Sequence, residues 1–284
     1  MTPREFYELA RQAASSWSED EASSMGAALA FYALFSMAPL LLLVISIVSL
    51  VVDAEVAGRV IFEQLRELLG DQGAAAVQSV LRAADQRGEG LVAAALSLAT
   101  LALGATTVLA ELRRDLDRIW RYKAPSGGGW RSMVAPRLWG FGLVLAMGFL
   151  LLVSLALSAA VTVLGSYWAA VLPGAGVVLR SLELTVSFAL ATGLFAMIYK
   201  MLPGARIAWA DVWVGAAITS LLFAVGKWLI GLYIGKSAVA SPFGAAGTLV
   251  VVIVWVYYSA QVFFLGAEFT RAYAMRKKAG LLTE

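Results

Sequence analysis

Neither cysteine nor histidine occurs among the 284 residues of this chain. Their absence excludes a disulfide, a thiol nucleophile, an imidazole acid–base group and a metal site of the usual nitrogen or sulfur type. Charge is scarce too, at 14% of residues against 61% hydrophobic. A soluble fold of this length would have to expose much of that apolar material, so the composition calls for lipid as solvent. A phosphate-binding glycine loop is also missing, because Gly127-Gly128-Gly129 lacks the Lys-Ser/Thr pair that should follow. These absences predict a protein that is not an enzyme and uses no cofactor or metal.

What the chain has instead is long apolar runs. Ala27 to Val52 contains no ionisable residue, and about 20 apolar residues suffice to cross ~30 Å of hydrocarbon. Gly90 to Ala110 is a second run. Leu138 to Leu179 is charge-free but too long for one helix, and Leu172-Pro173-Gly174-Ala175-Gly176 breaks it. The expected spans are therefore 27–52, 90–110, 138–165, 177–199, 212–234 and 245–269, the last following the break at Ser241-Pro242-Phe243-Gly244. Backbone groups in a bilayer core must be bonded within the protein, which leaves helices or a closed barrel. Runs of this length without polar alternation exclude the barrel. The fold class is all-α, a single polytopic membrane domain over 1–284 with six transmembrane helices.

Orientation follows from the loops, since Lys and Arg gather on the cytoplasmic side. The N-terminus, the basic loop 111–137, the fourth connection and the tail together hold fifteen, against six in the other connections. Both termini are thus expected in the cytoplasm of a bacterial inner membrane. A cleaved signal fits poorly, because its apolar core would be about 7–15 residues behind a basic start. Here Ala27 to Val52 is longer and follows the acidic Glu19-Asp20-Glu21.

Two segments outside the spans are periodic. In the outer loop 53–89, Val56, Val60, Ile61, Leu65, Leu68 and Leu69 share one helical face, and Val77, Val80, Leu81 and Ala84 repeat the pattern beyond Gly70-Asp71-Gln72-Gly73. Amphipathic helices there would cap the bundle or lie in the interface. Phe6, Ala10, Ala13 and Trp17 give the N-terminus a similar stripe. Residues 111–121 are expected to carry the second helix into the cytoplasm, with Asp117 placed to pair with Arg113 and Arg121. Their basic character is accounted for by the positive-inside bias and by anionic lipid, so no nucleic-acid partner is expected.

Five residues stand out as candidates for lining a substrate site or cavity. Ionisable groups within a span are costly and usually face the bundle interior. Lys227 lies seven residues from the outer end of the fifth span and Glu183 about six from that of the fourth, so they sit at similar depth. Either they pair across a cavity or each snorkels to the interface. Pro39 at mid-span frees the carbonyl of Phe35 and has Ser36 nearby, giving a structural kink or a broken helix of the kind that binds substrate in transporters. Glu268 can pair with Arg271 or with Lys200, as a helix-end pair or a proton site. Gly26, Ala30, Gly215, Gly244, Gly247 and Gly266 supply close helix approaches.

Three passages carry a resemblance. Ala27-Ala28-Leu29-Ala30-Phe31-Tyr32-Ala33-Leu34-Phe35-Ser36-Met37-Ala38-Pro39-Leu40 is one. Tyr199-Lys200-Met201-Leu202-Pro203 with Trp209, Asp211 and Gly215 is another. The third is Phe243-Gly244-Ala245-Ala246-Gly247 with Trp255-Val256-Tyr257 and Gly266-Ala267-Glu268. In this order they resemble the YihY/BrkB group of bacterial inner-membrane proteins over nearly the whole chain. That group was long labelled ribonuclease BN, an activity needing metal ligands or acid–base groups facing RNA, and this chain has neither His nor Cys. The resemblance implies an envelope role, with members implicated in serum resistance or in moving lipid and lipopolysaccharide precursors. The expected function is a transporter or flippase-like protein for a lipid or other amphiphile, with membrane lipids as partners. The alternative is a non-transporting scaffold that docks envelope proteins through the outer amphipathic helices, and a membrane-bound nuclease comes third.

Replacing Lys227 by Met is expected to damage activity or folding, with partial rescue by Glu183→Gln. Wild-type expression and thermal stability in the single variant would remove the pair.

Overall fold

A computed structural model describes residues 2–34, 107–123, 175–236 and 245–280, with 53, 56, 58–59, 62–63, 66 and 78 besides. The described residues contain helices and no strand. We number the helices α1 (Pro3–Glu19), α2 (Ala22–Leu34), α3 (107–119), α4 (Ala175–Met201), α5 (Trp209–Lys236) and α6 (Ala245–Lys278). Three of them contain segments long and apolar enough to cross a membrane, namely Leu184–Met201, Trp209–Gly226 and Val252–Lys278. The expected span 138–165, and most of 27–52 and 90–110, lie outside the described residues. Between 53 and 89, residues 56, 58–59, 62–63, 66 and 78 are helical, as the periodicity there predicts.

Local chemistry sets the helix ends. Thr2, Pro3 and Glu5 form a reciprocal cap on α1: the Glu5 amide donates to the Thr2 hydroxyl at 3.3 Å and the Thr2 amide donates to the Glu5 carboxylate at 2.7 Å. Pro3 fills the first helical position, where no N–H is needed. α4 stops just ahead of Pro203, which cannot donate to a further turn. α6 is the surprise: it runs nine residues past the expected limit of 269 to Lys278. Its final turn places Arg276, Lys277 and Lys278 against the negative end of the helix dipole. Gly280 then closes it with φ +67°, a left-handed conformation that suits glycine, its amide donating to the Lys277 carbonyl at 3.1 Å.

The chain divides into two compact units. The first comprises Met1–Ala13, Leu116–Leu221 and Gly266–Glu284. Its core is the antiparallel contact of α5 and α6. Two glycine–threonine pairs, each spaced four residues apart, interlock there. Gly215 on α5 faces Thr270 on α6, and Gly266 on α6 faces Thr219 on α5. A β-carbon at Gly215 would lie 3.1 Å from the Thr270 Cα and nearer still to its side chain, and one at Gly266 would lie 2.6 Å from the Tyr199 hydroxyl. Each threonine returns its proton to its own helix, Thr219 to the Gly215 carbonyl at 2.8 Å and Thr270 to the Gly266 carbonyl at 2.7 Å. The hydroxyls are thereby satisfied in a setting without water, and small residues let the backbones approach.

The second unit comprises Ala14–Asp115 and Leu222–Leu265. Here α2 meets α6 at Gly26, which packs on Ala260 and Gln261, and the Gln261 amide donates to the Ala22 carbonyl at 3.4 Å. α5 meets α6 where Gly226 receives the Tyr258 ring and where Phe223 and Trp255 pack edge-to-face at 5.5 Å. In the membrane-length segments the buried share rises from 22% in α4 through 39% in α5 to 50% in α6. α6 is therefore the most enclosed of the three, and α4 and α5 turn large side chains such as Leu184, Phe188 and Leu221 outward.

Gly215→Ala is expected to lower stability by about 1–3 kcal/mol through overpacking. Adding Thr270→Gly should recover part of that loss, read as the thermal midpoint in detergent. An unchanged midpoint for Gly215→Ala would contradict the interlock.

Candidate functional site

Polar side chains in the first unit collect on the inward faces of α4, α5 and α6. Tyr199, Thr219 and Thr270 are fully buried, and Glu268, Ser220 and Asp211 nearly so. Because Thr219 donates to the Gly215 carbonyl, its oxygen accepts from the Tyr199 hydroxyl at 3.0 Å. Tyr199 is thus tied to the glycine–threonine seam, and its ring stacks on Phe195 with centroids 6.5 Å apart. Glu268 is 1% exposed and pairs with Arg271 at 3.4 Å on the same helix. A carboxylate so placed needs a cation and hydrogen bonds to stay ionised. Among the described residues no three carboxylates converge as a metal's ligand set would require.

A second cluster gathers where α4 turns into α5. The Gly204 amide donates to Asp117 Oδ1 at 2.6 Å, which fastens the 202–208 connection to α3. The Tyr122 ring lies against Gly204, where a side chain would have no room. Lys200, in the last turn of α4, donates to the Ile207 carbonyl and lies 5.8 Å from the centroid of Trp209. Asp211, in the first turn of α5, pairs with Lys277 at 3.1 Å, its charge also favoured by the helix N-terminus.

The N-terminal helix docks onto the far end of α6. Arg276 reaches Glu8 at 3.0 Å and Gln12 at 3.1 Å, and Phe6 packs on Phe269 at 5.7 Å. In α1 the buried residues are Leu9 and Ala13. Leu9 falls on the same helical face as the expected stripe Phe6, Ala10, Ala13 and Trp17, and of that stripe Ala13 is buried, Ala10 and Trp17 are half-buried and Phe6 packs on Phe269.

Of the residues singled out from the sequence, Glu268 takes Arg271, while Lys200 goes to the Ile207 carbonyl and the Trp209 ring. Glu183 lies on α4 and Lys227 on α5, with both side chains outside the described residues. Ser36 and Pro39 also lie outside them. The sequence reading missed the hydroxyl seam. The signal was present, as Gly215 to Thr219 and Gly266 to Thr270 repeat one spacing, but the glycines were noticed without their threonines.

Comparison with known proteins extends across the chain. A family model described as virulence factor BrkB matches residues 13–283. A "UPF0761 membrane protein" of Pseudomonas aeruginosa strain LESB58 is 27% identical over 263 residues, 92% of this chain and 61% of the relative. Another, from Albidiferax ferrireducens, is 29% identical over 171 residues, covering 60% of this chain and 39% of its own length. The chain therefore spans about three fifths of the length of the first of these relatives. No solved structure matches.

The hydroxyl pair gives an asymmetric expectation. Tyr199→Phe removes a donor and leaves Thr219 bonded to the Gly215 carbonyl, so it should cost about 0.5–1.5 kcal/mol. Thr219→Ala strands a buried phenol and should cost more, about 1–3 kcal/mol. Thermal midpoints in detergent that rank the other way would contradict the geometry.

Proposed function

This chain belongs to the virulence factor BrkB family and is an integral membrane protein, and from that premise we propose that it moves or accommodates an amphiphile, a lipid or lipid precursor, in the bacterial inner membrane. The proposal includes six transmembrane helices with both termini in the cytoplasm, on the strength of the fifteen-to-six bias of Lys and Arg. It assigns no catalytic step and takes membrane lipid as the partner.

The observation that carries the reading is the polar interior of otherwise apolar helices. Glu268 with Arg271, and the hydroxyls of Tyr199, Thr219 and Thr270, line inward faces of segments that present Leu184, Phe188 and Leu221 outward. A buried ion pair is no stronger as cement than apolar packing of the same volume. A headgroup travelling past an oily wall, by contrast, needs polar surface inside and apolar surface outside, and an ionisable residue in a span commonly marks such a path.

Reconstitution into vesicles with a fluorescent phospholipid tests the reading. Wild-type protein should make inner-leaflet probe accessible to a membrane-impermeant quencher, and Glu268→Gln should slow this at least several-fold. Equal quenching in protein-free and protein-containing vesicles for phospholipid and lipopolysaccharide-type probes would refute transport, and capture of envelope proteins by the outer loop would then favour the scaffold. Reporter fusions finding either terminus in the periplasm would refute the proposed topology.

A further inference from the structure

We propose that the connection between α4 and α5 is a binding site for the headgroup of an anionic phospholipid, with Lys200 holding the phosphate and Trp209 and Trp213 flanking the glycerol region. The proposal is independent of whether the protein moves lipid.

Arg271, Arg276 and Lys277 each face a carboxylate, whereas among the described residues no carboxylate pairs with Lys200. Its ammonium has three N–H donors. The Ile207 carbonyl takes one, and the Trp209 ring fixes the head at 5.8 Å without neutralising it. The half-buried ammonium is therefore held in place by neutral groups, with donors left for an anion. Arg206, exposed and adjacent to Ile207, adds a second positive charge. The nearest carboxylate in sequence, Asp211, is turned inward to Lys277 and is 4% exposed, so it does not oppose an anion at this surface.

The neighbouring surface completes the match. Trp209 and Trp213 are 50% and 48% exposed, and their spacing of four residues puts them on one side of α5. Further along, Leu221 is exposed as well. Cation, indole rings and aliphatic surface thus follow one another along the helix in the order in which a phospholipid presents phosphate, glycerol esters and acyl chain. Indole rings favour that interfacial level, and basic residues beside it attract anionic lipid. A soluble phosphate would use the cations but leave both indoles idle, so the occupant is a diacyl lipid.

The decisive experiment is native mass spectrometry of the purified, delipidated full chain, titrated with phosphatidylglycerol and with phosphatidylcholine of the same acyl chains. Wild-type protein should favour phosphatidylglycerol. Lys200→Met should lower phosphatidylglycerol binding about tenfold, as expected for losing a charge-assisted hydrogen bond, and weaken phosphatidylcholine, whose phosphate is offset by its own choline cation, by much less. Lys200→Arg should keep most of the preference, and Arg206→Gln, at an exposed position, should lose part of it. A wild-type lipid ratio in Lys200→Met overturns the site, as does one in Arg206→Gln should Lys200→Met not yield monodisperse protein. Displacement of phosphatidylglycerol by an equal concentration of glycerol phosphate overturns the lipid as occupant.

Discussion

In a bilayer core there is no water to accept what the protein leaves unbonded, so each hydroxyl, amide and carboxylate on a spanning helix has to be satisfied from within. Two devices carry most of this demand among the described helices, with the buried Ser220 hydroxyl left as an exception. Most hydroxyls are returned to the helix that bears them: Thr185 to the Ser181 carbonyl at 2.7 Å, Thr192 to Phe188 at 2.8 Å and Ser259 to Trp255 at 2.8 Å. At the α5–α6 contact the same device serves packing as well. Thr219 and Thr270 spend their protons on the carbonyls of Gly215 and Gly266, and each then fills the space that the facing glycine leaves open. Tyr199 joins by donating to the oxygen of Thr219. One sequence spacing therefore answers both the polar and the steric requirement of helix association in lipid.

Much of this architecture was legible in the sequence because lipid imposes a simple code. The expected fourth and fifth spans, 177–199 and 212–234, fall inside helices Ala175–Met201 and Trp209–Lys236. The sixth was read to start at 245, where α6 begins, and to end at 269, where α6 does not. Apolar content marks the part of a helix that lies in hydrocarbon; it is silent about a polar continuation in which Arg276 and Lys277 are held through contacts distant in sequence. The same limit applies to α1. Periodicity located the helix and its apolar face, but the partners Phe269 and Arg276 lie far off in sequence, where no local pattern reaches.

The site was legible to a smaller degree. Glu268 was identified by its cost, and its neighbour Arg271 by helical spacing. The ties that organise the α4–α5 turn join residues far apart in the chain, such as Asp117 and Gly204. Tyr199, Trp209 and Asp211 entered the sequence reading only as marks of a family, and Lys200 otherwise only as an alternative partner for Glu268. In the fold each of them has a physical role. The phenol bonds the seam, the ammonium and indole sit together over a carbonyl, and the carboxylate anchors the end of α6.

The length of α6 has a structural corollary. Its 34 residues amount to about 51 Å of continuous helix, some 20 Å more than a hydrocarbon core is thick. The polar overhang of that excess length is what gives the N-terminal helix a place to dock, through Glu8 and Gln12 on Arg276.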